Sequence, residues 1–283
     1  EILAKKKELY AQVKAIPAAE RTFENTLYGI ERANEVMDPV SFFEILLNAS
    51  PETSVRAAAE EVIKKIAHET VDMEYDEGMY LAFKDFADKK LSLEGEDKRL
   101  FEDTARAYKR MGFHLPAETR EKVKVISKRL STLGTDFHIN IQKYEDHILV
   151  TREELDGLPE HYIEGLTKDE SGNYVVSLKY PEMVPFLERA KNEPKRKELM
   201  DKNLQKGGPK NVEISKEILG LRRECAQLLG YPTHGDYVTE LRMAKTRKTV
   251  VDFLSQFMAR LQPGADIDLK DLETFKKKTV GSD

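Results

Sequence analysis

The sequence has a single cysteine, Cys225, which excludes an intrachain disulfide and fits a reducing compartment, so a cytoplasmic location is expected. No apolar run approaches the ~20 residues of a membrane span, and no signal peptide is visible. A basic excess is also lacking: 46 Lys and Arg stand against 51 Asp and Glu, net −5, so no nucleic-acid partner is expected. The lysine runs Lys5–Lys7 and Lys276–Lys278 are short and have acids nearby, which makes them solvated faces. G-x-S-x-G, the P-loop, G-x-G-x-x-G and H-E-x-x-H are all absent. There is no fixed-period repeat and no low-complexity tract. The chain begins at Glu1 without Met, which leaves room for a segment upstream, a targeting one included.

What is present is helical. Of the 283 residues, 40% are hydrophobic and 34% charged, enough for a core under a heavily solvated surface. The organising stretch is Asn211–Lys245, NVEISKEILGLRRECAQLLGYPTHGDYVTELRMAK. Ile214, Ile218, Leu221, Cys225 and Leu229 recur at helical steps, which predicts one apolar face and a buried, unpaired Cys225. Gly230 and Pro232 should end that helix, and Thr233 with Asp236 should cap the next, with Tyr237, Val238, Leu241 and Ala244 on its apolar face.

The rest follows the same period. Helices are predicted over Glu1–Ile16, Thr22–Met37, Ser50–Met73, Glu77–Lys89, Glu96–Met111 and Pro116–Tyr144. Val40–Leu47 is short, strongly apolar and expected to be buried. Gly134, inside the long helix, predicts a bend or a close neighbour. Further helices are expected over Met183–Lys191, Pro194–Leu204 and Thr246–Leu261, the last ended by Pro263-Gly264. Only His147–Val150 and Tyr174–Tyr180 are β-prone, with a Thr151/Glu154 capping box between them and a Ser171-Gly172-Asn173 turn. The fold class read from this is all-α, with a small two-stranded insertion near 147–180. The expected division is a helical lobe over 1–262 and a charged, fraying tail over 263–283.

LRRECAQLLGYPTHGDYVTELRMAK resembles a segment of the thimet oligopeptidase, neurolysin and oligopeptidase A family. FENTLYGIERAN (Phe23–Asn34), the Ser50-Pro51 helix start, MGFHLPAETR (Met111–Arg120), ISKRLSTLGTDFHIN (Ile126–Asn140) and VSLKYPEMVPFLERA (Val176–Ala190) follow in family order, so the resemblance covers about Thr22 to Leu261. It implies the amino-terminal lobe of a two-lobed zinc metallopeptidase that cuts short peptides in a deep channel. The family's chemistry uses H-E-x-x-H on one helix, with two imidazoles one turn apart on zinc and a Glu activating water. The resemblance places that helix beyond Asp283, so this chain is expected to hold no zinc and to be inactive by itself.

The nearest local pattern is His68-Glu69-Thr70-Val71-Asp72, with Asp72 in place of the second histidine. A charged helix face produces such near-matches often, and the resemblance puts this helix outside the catalytic half, so no catalytic, cofactor-binding or metal residue is assigned. His114, His138, His147, His161 and His234 do not pair at helical spacing, and His138 with His147 is the first pair to check in space. Two functions fit: the channel-forming portion of a zinc oligopeptidase, partnered by short peptides and a complementary carboxy-terminal half; or a non-catalytic peptide- or protein-binding scaffold derived from that family. An exposed apolar face on Val40–Leu47 or Val250–Leu261 would favour the first.

Overall fold

The computed structural model describes residues 1–281. Its contacts divide the chain into two units, Glu1–Leu221 and the residues from Arg222 on.

The first unit opens with α1 (Ile2–Ala15). Its carbonyl end is closed by Arg21, whose guanidinium is buried, donates to the Val13 carbonyl at 3.1 Å and pairs with Asp85 at 3.3 Å. A cation at a helix C-terminus satisfies carbonyls that the helix leaves open. Thr22 and Asn25 then form a reciprocal capping box at 3.2 and 2.8 Å. The first turn it opens, Phe23–Leu27, is π-helical, and α2 (Tyr28–Glu35) continues from it. Leu27, Ile30 and Ala33 face inward as their spacing predicts.

α3 (Ser41–Ala49) departs from expectation: only Leu47 is buried, while Phe42 and Ile45 are each 57% exposed. Apolar content marks a helix that wants a partner; it does not supply one. α4 (Thr53–Glu74), α5 (Glu77–Ala87), α6 (Gly95–Arg110) and α7 (Ala117–Gln142) follow. Ser50 does not cap α4 through the N3 position; its hydroxyl accepts from the Glu52 amide, and the helix starts at Thr53. One core gathers Tyr10, Val13, Leu27, Ile30, Phe83, Phe86, Tyr108 and Phe113 from α1, the π-helical turn, α2, α5, α6 and the turn after α6. Tyr80, Tyr108 and Phe113 pack on one another, with the Tyr80 ring centroid 5.3 Å from Tyr108 and 4.5 Å from Phe113. The 26-residue α7 passes through Gly134 without interruption, and no neighbour lies within 4 Å of a Cβ placed there, so the expected close contact is not made.

The two-stranded insertion forms as expected, with its second strand stopping at Ser177, short of Tyr180: β1 (His147–Val150) pairs antiparallel with β2 (Tyr174–Ser177), His147 opposite Ser177 and Val150 opposite Tyr174. Between them the Thr151/Glu154 box forms, at 2.9 and 3.4 Å, and the short α8 (Glu160–Glu164) follows. Lys195 and Lys202 donate to the Leu149 and His147 carbonyls at 3.0 and 2.8 Å, so lysines occupy acceptors on β1 that a further strand would need. This sheet, α9 (Tyr180–Arg189) and α10 (Glu193–Leu204) enclose a second core of Ile148, Val150, Leu155, Val176, Phe186 and Leu199. The fold is predominantly α with one small antiparallel sheet.

α11 (Gly208–Leu228) contains the division between the units. Within the first unit, buried Asn211 donates to the Phe137 carbonyl at 3.0 Å and accepts from Asn140 at 2.8 Å, fixing α11 to α7. In the second unit, Gly230 adopts φ +85° and Tyr231 N donates to the Ala226 carbonyl at 2.8 Å, a left-handed helix end that glycine makes cheaply. Thr233 caps α12 (His234–Thr239) by accepting from Asp236 N at 3.2 Å. α12 is shorter than its apolar spacing predicts, and Leu241 and Met243 beyond it are exposed. Cys225 is half-buried and not fully enclosed as expected; it forms no disulfide, and burial with Glu224 nearby raises its pKa above the ordinary thiol value.

The largest departure is α13, Arg247–Val280, capped by Thr246. It does not stop at Pro263-Gly264 as expected. Pro263 lacks the N–H that would bond to the Ala259 carbonyl, a local loss of about 3 kcal/mol, yet the helix continues on both sides. The last two positions of the expected tail, 282–283, lie outside the described residues.

Candidate functional site

The near-motif lies on the last turns of α4, on a groove between α1, α4 and the start of α5. The groove has a volume of about 430 Å³ and is lined by Lys7, Tyr10, Lys14, Glu69, Asp72, Met73 and Asp76. One helical turn does place Glu69 and Asp72 on the same side of α4, but lysines from other elements reach both. Lys7 of α1 pairs with Glu69 at 2.5 Å, and Lys14 of α1 with Asp76 at 2.6 Å. Asp72 receives Lys128 at 2.6 Å and Lys124 at 2.9 Å, both from α7. These bonds hold the carboxyls of Asp72 and Glu69 below their usual range. The His68 ring sits 3.3 Å from the Thr132 hydroxyl.

This donor set does not suit zinc. A zinc site needs three or four converging ligands, and here the carboxylates are already neutralised by ammonium groups that a dication would have to displace. Among the described residues, no three His, Cys, Asp or Glu side chains converge to hold a metal ion. His138 lies on α7 and His147 opens β1, where its amide donates to Asp146 at 2.8 Å. What the α4 face does is join helices.

The same function recurs one turn after another along α4 and α7. Glu60, with 13% of its side chain exposed, accepts from Lys143 at 2.7 Å and Lys64 at 3.0 Å, and these two bonds lower its pKa. Lys64 also reaches Asp136 at 3.7 Å. Tyr75 and Ser127 hydroxyls approach to 3.3 Å. The pairing of Glu60 with Lys143 was not legible in the sequence, because the two are 83 positions apart and no local pattern links them. In the second unit, Tyr231, His234 and Tyr237 form an aromatic corner, with Tyr237 5.2 Å from Tyr231 and 5.9 Å from His234 between centroids. Partial burial and the nearby Arg222 push the His234 pKa down, so the imidazole is the more neutral at pH 7.

The feature with the greatest unspent chemistry is α13. Every apolar side chain from Val251 to Phe275 is exposed, among them Phe253 at 64%, Met258 at 64%, Leu272 at 65% and Phe275 at 67%. At about 100 Å² apiece, the ten large ones present on the order of 1,000 Å², against a few hundred on a typical monomer. Sequence reading found its first half; the second was hidden by treating Pro263 as a stop, although Leu269, Leu272 and Phe275 keep helical spacing.

Comparison with known proteins gives this architecture a relationship. Residues 186–283 match the model of Peptidase family M3. The chain is 30% identical to a thimet-like oligopeptidase of Dictyostelium discoideum over 275 residues, 94% of this chain and 41% of the relative. It is 29% identical to saccharolysin of Saccharomyces cerevisiae over 87% of this chain and 36% of that protein. With oligopeptidase A of Escherichia coli the identity is 27% over 93% of this chain and 41% of the relative. The protein is thus a helical relative of oligopeptidases. It is similar to the family of thimet oligopeptidase and oligopeptidase A, as the ordered segments of its sequence imply. The chain spans about 41% of the length of those relatives.

Proposed function

We propose that this chain is the amino-terminal, channel-forming portion of a zinc oligopeptidase acting on short peptides, with zinc and the water-activating glutamate supplied by residues outside these 283. The observation that carries the reading is the exposed apolar surface of α13, reinforced by Phe42 and Ile45 on α3. A self-sufficient scaffold would seal such a surface, because exposed apolar area costs solubility and gains nothing. The near-motif supports the same reading: lysines already pair with Glu69 and Asp72, so neither stands free beside a metal-bound water. In this reading the helices form one wall of the substrate channel, and hydrolysis needs a docked carboxy-terminal half carrying H-E-x-x-H. Partnership with short peptides follows from the printed names of the relatives. No described helix is long and apolar enough to cross a membrane, and the single cysteine suits a cytoplasmic setting.

The test is cleavage of a quenched fluorescent peptide by the chain alone, by a separately made carboxy-terminal half of a relative, and by the two together. Zinc-dependent cleavage that appears only on mixing is the expected result. Zinc bound stoichiometrically by this chain alone, with activity lost in Glu69→Gln, would overturn the assignment. Association of the two halves without any activity would favour the non-catalytic scaffold.

A further inference from the structure

The two cores of the first unit share no residue. Tyr10, Leu27, Phe86 and Phe113 belong to one, and Ile148, Val176, Phe186 and Leu199 to the other. The second is built from residues 144–206. Its main packing is β1 on β2 and α10, and α9 on β2 and α10. The ion pairs Arg152–Glu160, Lys191–Asp156, Lys195–Glu198 and Lys202–Asp146 also close within it. The chain enters this module from the end of α7 and leaves it at the start of α11.

Each crossing changes sides abruptly. At the entry, Lys143 closes α7 and pairs with Glu60 of α4 at 2.7 Å. The next residue, Tyr144, packs against the module's core, and its hydroxyl donates to Asp146 at 3.4 Å. At the exit, Lys206 still belongs to the module and donates to the Leu178 carbonyl at 3.1 Å. By Asn211 the chain is buried against α7. Two braces hold the crossings side by side. On the module side Lys202 meets Asp146 at 2.8 Å, and on the helix side Asn140 donates to Asn211 at 2.8 Å. Backbone turns span the space between them, with Tyr144 N on the Ile141 carbonyl at 3.3 Å and Gly208 N on the Gln205 carbonyl at 2.8 Å.

We propose that residues 144–206 move as one body on a hinge made by residues 143–145 and Gly207-Gly208. The two glycines have φ +82° and +52°, the left-handed region that glycine enters and leaves freely. A Cβ at Gly208 would meet nothing within 4 Å, so no neighbour holds that residue in place. Pro209 fixes its own φ at the start of α11, which leaves the bending to the residues before it. Hinges work in this way: a few residues at element ends absorb the backbone change while packed bodies on both sides stay intact. Two crossings side by side define the axis and resist twisting about a single strand. Rotation about it carries the module toward or away from the helices that precede it, and neither core has to open. The hinge rests on these contacts and not on the peptidase reading.

The test is electron–electron double resonance on the full chain in a Cys225→Ser background, with spin labels at exposed acids. Asp97→Cys with Glu61→Cys reports within the helices, Glu170→Cys with Glu188→Cys within the module, and Asp97→Cys with Glu188→Cys across the hinge. Far-UV circular dichroism confirms that each labelled chain is folded. The distance distribution across the hinge should be at least about twice as wide as either internal one, as for a hinged pair of rigid bodies. Gly208→Asn keeps the left-handed conformation within reach but removes glycine's freedom. It should narrow the distribution across the hinge and leave the internal ones unchanged. A distribution across the hinge as narrow as the internal ones would overturn the proposal. So would an equally wide one within the module, or a width that Gly208→Asn does not change.

Discussion

Gly134→Ala and Gly157→Ala are the same substitution with opposite expected signs. Gly134 lies in the middle of α7, and an added Cβ meets nothing within 4 Å. Alanine there restricts the unfolded chain and costs no packing, a gain of about 1 kcal/mol. Gly157 has φ +98°, and its Cβ would sit 2.2 Å from the Arg189 carbonyl oxygen. The left-handed backbone alone costs a substituent about 1–2 kcal/mol, and the overlap is with backbone, which cannot rotate away. The tight approach also carries two cross-links, Lys191 N to the Asp156 carbonyl at 2.9 Å and the Lys191–Asp156 ion pair at 3.1 Å. Urea unfolding followed by circular dichroism and tyrosine fluorescence suits a chain without tryptophan. With a slope of about 1–3 kcal/mol per molar, Gly134→Ala should raise the midpoint by roughly 0.3–1 M. Gly157→Ala should lower it by at least as much. A lower midpoint for Gly134→Ala, at unchanged slope, would refute the claim that the position is open and helical.

Acid should destabilise the first unit. Glu60, Asp72 and Asp146 have pKa values lowered chiefly by hydrogen bonds from Lys143, Lys128 and Lys202. A depressed folded pKa gives stability that is present above the unfolded value, near 4 for carboxylates, and is lost as pH falls through the folded one. The urea midpoint should therefore drop below about pH 4.5, and Glu60→Gln should flatten that drop. Asn211→Ala leaves the Asn140 amide without its acceptor and should cost about 1–3 kcal/mol, read by the same unfolding. Cys225 should react with a bulky thiol reagent more slowly than free cysteine at pH 7, because burial raises its pKa and reduces the thiolate fraction; a rate equal to that of the free amino acid would contradict the burial.

Helices and the small sheet were legible in the sequence because their signals are local. The Thr151/Glu154 box, the Gly230 stop, the Thr233 cap and the start of the alternating run at Tyr174 each act within a few residues, and each appears as read. The family relationship was legible for the same reason, carried by short segments in order. Tertiary structure decided what those elements meet. Glu69 and Asp72 look like half a zinc motif until Lys7, Lys124 and Lys128 arrive from helices about 50–60 positions away. Phe42 and Ile45 read as core because hydrophobicity states a preference for burial, and only packing determines whether it is met. Pro263 reads as a stop because its penalty is local, yet one lost hydrogen bond does not end a helix whose turns on both sides form their own. The sequence alone determined where the chain would be helical and which family it resembles; which faces are covered, and which await a partner, depended on contacts between residues that no local pattern connects.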